Sequence, residues 1–117
     1  MYPETLIITV QWIGGGMPHD ALRRLFDRVL RSIEPYDDAD WLNEFTEPKD
    51  KRAGIIIEAK SAEAAYERLR AVLETDGLIA DSNIFATATL RKGLINEHDA
   101  PSRHIHLVPG RSPFRLT

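Results

Sequence analysis

Asp37-Asp38-Ala39-Asp40-Trp41-Leu42-Asn43-Glu44-Phe45-Thr46-Glu47-Pro48-Lys49-Asp50 is the stretch whose conformation sets the number of strands in this chain. Six carboxylates against Lys49 alone give it a local charge of −5, and Trp41, Leu42 and Phe45 interrupt the acidic run. We read residues 41–46 as a short strand, with a single helical turn capped by Asp40 as the competing reading. Pro48 to Lys51 is a turn. It leads into Ala53–Ala59, a strand by its three consecutive isoleucines, Ile55, Ile56 and Ile57.

Beyond that strand, Ser61 is placed to cap a helix with Ala62, Ala65, Tyr66, Leu69, Val72 and Leu73 as its buried stripe, and Gly77 marks its stop. Asn83 to Arg91 alternates Ile84, Ala86, Ala88 and Leu90 with Phe85, Thr87 and Thr89, the pattern of a half-buried strand closed by Gly93. In the other direction, Leu6 to Ile13 is a strand with Leu6, Ile8, Val10 and Trp12 on one face and Ile7, Thr9, Gln11 and Ile13 on the other. Gly14, Gly15 and Gly16 follow it. Pro18 suits a first helical position, and Leu22, Leu25, Phe26, Val29, Leu30 and Ile33 repeat at helical spacing until Pro35. The order is strand, helix, strand, strand, helix, strand. Right-handed crossovers then give a four-stranded antiparallel sheet with both helices on one face, the ferredoxin-like α+β sandwich, over residues 1–93. Residues 94–117 form a C-terminal extension in which Arg103–Val108 can add an edge strand, while Pro109, Gly110 and Pro113 keep the remainder irregular.

A chain of 117 residues fits one domain and can bury roughly two-thirds of its unfolded surface. Hydrophobic residues at 43% and charged ones at 28% are an ordinary globular balance. With no cysteine there is neither a disulfide framework nor a thiolate nucleophile or ligand. No apolar run approaches the length of a membrane span, and the N-terminus lacks a basic region and an apolar core of the secretory type, so a cytoplasmic protein with no membrane contact is expected. The net charge of −3 disfavours general nucleic-acid binding.

Three groups of residues bear on chemistry. Gly14, Gly15 and Gly16 lie between a strand and a helix, where backbone amides can hold an anion, although Asp20 in the first turn opposes one and a hinge is the plainer role. His104 and His106 point to one side of their strand, and with His98 and Asp99 they supply ligand types suited to zinc, copper or iron. As catalysts, His19, His104 and His106 are the acid/base candidates. The acidic segment is the third group. Asp37, Asp38, Asp40 and Glu44 around Trp41 and Phe45 have the make-up of an interface in which aromatic anchors are ringed by charge, complementary to a basic protein. Residues 91–117, at +3, are a second possible complement within the chain. The far side of the sheet, with Ile7, Thr9, Gln11, Ile13, Ile56, Glu58, Phe85, Thr87 and Thr89, is too apolar to stay wet and too polar for a second core.

Lys51-Arg52-Ala53-Gly54-Ile55-Ile56-Ile57-Glu58, followed by Ser61-Ala62-Glu63-Ala64-Ala65, resembles the third strand and second helix of an RNA-recognition motif. The base-stacking aromatic positions hold Ile55 and Ile57 here, so the resemblance implies fold and not RNA binding. In topology the chain is also similar to dimeric barrels, which include small monooxygenases and isomerases. The expected function is a non-catalytic binding or regulatory protein, a homodimer with a protein partner and no cofactor. An inhibitor or immunity-type partner of a basic protein is its concrete form. The alternative is a small dimeric-barrel-type enzyme or small-molecule binder using a histidine as acid/base, and an RNA-binding module is the third reading.

Overall fold

The computed structural model describes residues 2–13, 15–81, 83–94, 99–107 and 115–116. Its elements are β1 (Glu4–Trp12), α1 (His19–Ile33), β2 (Ala39–Glu47), β3 (Arg52–Ala59), α2 (Ala62–Thr75), the single turn α3 (Gly77–Ala80), β4 (Ile84–Arg91), β5 (Ser102–Leu107) and β6 (Arg115–Leu116). The sheet runs β2-β3-β1-β4-β5-β6, and all neighbouring pairs are antiparallel. Its first four strands have the ferredoxin-like order.

Period-two alternation places the core. Leu6, Ile8, Val10 and Trp12 of β1 are buried beside Ile55 and Ile57 of β3 and Ala86, Ala88 and Leu90 of β4. Leu22, Leu25, Phe26, Val29 and Ile33 of α1 and Ala62, Ala65, Tyr66, Leu69 and Leu73 of α2 close over them in one cluster. Ser61 caps α2, its hydroxyl accepting from the Ala64 N–H at 3.1 Å. The end of that helix differs from the glycine-stop expectation. Thr75 is its last residue, and the Asp76 carboxylate accepts from the Leu78 N–H at 2.9 Å, capping the extra turn α3. Asp76 is also held by Arg28 of α1 at 2.9 Å, which ties the two helices together.

The edge strand that Arg103–Val108 could add is present as β5, and the short β6 extends the sheet to six strands. Residues 102–107 pair along β4 from Arg91↔Ser102 to Ala86↔Leu107, and Ile105 and Leu107 sink into the same core, so the sheet continues past residue 93. Among the described residues no helix is long and apolar enough to cross a membrane.

Candidate functional site

The registers define the face that the helices leave uncovered. Glu58, Thr5, Arg91 and Ser102 lie across β3, β1, β4 and β5 in one row, and Ile56, Ile7, Thr89 and His104 in the next. Phe45, Gly54, Thr9, Thr87 and His106 form a third row, and Glu47, Arg52, Gln11 and Phe85 a fourth. One end is roofed, since the buried Thr5 hydroxyl donates to the Gly93 carbonyl at 2.8 Å. The middle holds an open cavity of about 360 Å³ lined by Ile7, Thr9, Phe45, Ile56, Thr89, Arg91 and His104, among others.

Histidines 104 and 106 therefore share this face. The His104 Nδ1 is 2.9 Å from the Thr89 hydroxyl, and the His106 ring stacks on Phe85 with centroids 4.3 Å apart. His19 starts α1 and is exposed on the helix side, so the sheet stands between it and the β5 pair. No group of three metal-type side chains is close enough to hold an ion among the described residues. His98 and Gly14 lie outside those residues. Gly15 has φ +72, the left-handed conformation of a turn, and a Cβ at Gly15 or Gly16 would meet open space.

The acidic segment is split by a β-bulge. Trp41 pairs with Ile57 and Asn43 with Ile56, which leaves Leu42 as an extra residue on β2. Four residues apart on a regular strand, Trp41 and Phe45 would point the same way. The bulge turns them to opposite sides, and the single two-anchor patch expected from sequence does not form. Phe45 lies against Gly54 on the open face, whereas Trp41 goes to the helix side. There it lines a cavity of about 380 Å³ with Leu30, Ile33, Glu34, Tyr36 and Asp40.

Much of the segment's charge is met inside the chain, by arginines from α1, α2 and β3. Arg68 of α2 forks onto Asp38 with both terminal nitrogens, and its guanidinium lies 3.9 Å over the centre of the Tyr36 ring. That pairing holds the Asp38 carboxyl below its usual range. Arg23 of α1 reaches Glu44 at 3.5 Å, and Arg52 serves Glu47 and Asp50. The Asp37 carbonyl accepts from the Tyr2 hydroxyl. Arg103 of the tail goes to Glu63 of α2 at 3.1 Å and not to the acidic segment. Among the described residues, Glu34, Asp37 and Asp40 form no ion pair.

What remains on this edge is apolar and exposed. Tyr36, Trp41 and Leu42, at 46%, 50% and 42% exposure, are among the described residues three of the five large hydrophobic side chains most open to water; Tyr36 and Trp41 line one cavity, and Leu42 follows Trp41 on β2. Tyr36 and Arg68 escaped the sequence reading, because a contact 32 residues long leaves no local pattern.

No protein-family model matches the chain, and no curated protein is similar to it. The solution NMR structure of a de novo designed protein with ferredoxin fold is similar over 100% of this chain and 95% of its own, at 12% identity and a TM-score of 0.45. A designed chain brings no activity with it. By its own sheet order and helix placement, this chain has the ferredoxin-like α+β fold, widened by two strands beyond the fourth.

Proposed function

We propose that this is a non-catalytic binding or regulatory protein of the cytoplasm, a homodimer that acts through contacts with a basic protein. An inhibitor or immunity-type partner is its concrete form. The observation that carries the proposal is the exposure of Tyr36, Trp41 and Leu42 at the outer edge of the sheet, near carboxylates with no ion pair among the described residues. Aromatic anchors of this kind concentrate binding energy, and surrounding charge steers an oppositely charged partner. The Trp41→Ala/Leu42→Ala protein should keep its fold and lose a partner that co-purifies with the wild type from its own host. Retention of that partner at wild-type stoichiometry rules this edge out.

The open sheet face suits the second copy. Its β2–β3 side carries Glu47 and Glu58 against Arg52, while its β4 side carries Arg91. A two-fold axis along the strands brings the acidic side of one copy over the basic side of the other. The partner edge stays free in such a dimer.

A second reading, a small-molecule binder or enzyme, is favoured by the position of His104 in the cavity on the open face. On that reading His104 is the acid/base group, with His106 beside it. A metabolite that raises the melting temperature of the wild type but not of His104→Ala would support it.

A further inference from the structure

We infer that the cavity between Tyr36 and Trp41 receives an arginine side chain of the partner protein, an assignment that rests on the proposed partner-binding role of this edge. The chain already contains the arrangement once. Arg68 stacks on one face of Tyr36 while its fork grips Asp38, so an aromatic plane and a carboxylate together hold a guanidinium. Trp41 repeats the aromatic half of that pair and is half exposed. Glu34, exposed and lining the same cavity, repeats the carboxylate half without an ion-pair partner among the described residues, whereas Asp40 pairs with Glu58 in the strand register and belongs to the opposite face of β2 from Trp41.

Size and polarity agree with this occupant. A volume of about 380 Å³ exceeds one side chain and admits the arginine together with part of its backbone. Leu30 and Ile33 offer the aliphatic stem an apolar floor, and Glu34 on the rim suits the charged end. The negative charge that Arg23, Arg52 and Arg68 leave unmatched along residues 36–50 draws such a group in, an attraction that weakens with added salt. An acidic or purely apolar partner would leave Glu34 unmatched.

The two tryptophans make the test internal, because Trp12 is buried at 4% exposure and reports only on the fold. The full chain, labelled with nitrogen-15, is titrated with a capped octapeptide of alternating glycine and arginine while both indole N–H signals are followed. The expected result is a saturable shift of the Trp41 signal with Trp12 unmoved, and no response to the matching glycine–glutamate peptide. Glu34→Gln should weaken the apparent affinity about threefold at low salt, with circular dichroism unchanged. A Trp41 signal that ignores the arginine peptide, or that responds equally in Glu34→Gln, overturns the assignment. So does a shift produced by concentrating the protein alone, which would identify a second copy as the occupant. If Trp41→Ala/Leu42→Ala loses the native partner while the peptide has no effect, the arginine assignment falls and the partner edge stands.

Discussion

Gly54 shows how one residue shapes the open face. A Cβ there would strike the Phe45 ring and come within 2.6 Å of the Ile8 carbonyl oxygen. Gly54→Ala should therefore cost about 1–3 kcal/mol, read as a fall in the urea midpoint. Adding Phe45→Ala should restore only part of it, because the Ile8 backbone cannot move aside; full recovery would mean that the ring alone sets the constraint. Lys51 is the opposite case. It closes the β2–β3 turn at φ 54, a left-handed conformation that costs a side chain energy and glycine none. Lys51→Gly should raise stability by about 0.5–1 kcal/mol in the same denaturation experiment. An unchanged midpoint would show that the native Lys51 makes up the strain elsewhere.

At the scale of the element, β2 is held to the helix layer by the Arg68 fork on Asp38, and that link is sensitive to acid. The Asp38 carboxyl is lowered from its ordinary value near 3.8, first by the Arg68 hydrogen bonds. A lowered carboxyl stabilises the fold above the unfolded value, and the contribution disappears as pH falls through the folded one. Melting temperature should thus decline from about pH 4 downward more steeply in the wild type than in Asp38→Asn. Parallel slopes would remove the pair from the account. The same strand marks where sequence reading stops. Isoleucine runs, alternating residues and helical stripes in β1, β3, β4 and both long helices depend on local burial patterns, so they could be read directly. The existence of β2 was legible as well, though shortened to 41–46 because its ends are acidic. Its bulge was not. Leu42 becomes an extra residue only through pairing with β3, and that pairing separates Trp41 from Phe45. Likewise the partners of the acidic segment, Arg23, Arg52 and Arg68, come from three other elements, and no spacing along the chain announces them.

For the whole molecule, the fold leaves two different surfaces, a broad half-polar sheet face and a narrow aromatic edge. Five strands spaced about 4.8 Å apart and about 20 Å long offer roughly 500 Å² per copy. Face-to-face pairing then buries about 1,000 Å², at the weak limit of specific interfaces. The dimer should accordingly dissociate on dilution, and Arg91→Glu should weaken it at least fivefold in sedimentation equilibrium by setting like charges opposite each other. A monomer at all concentrations would leave the sheet face to the His104 ligand cavity. The central claim, that the protein works through a partner at the Tyr36–Trp41–Leu42 edge, is tested most directly by native mass spectrometry of untagged protein from its own host. The account predicts a dimer near twice 13.3 kDa carrying a basic polypeptide that is absent from the Trp41→Ala/Leu42→Ala protein. A chain that arrives without any polypeptide but with one small molecule or metal ion per copy would contradict it.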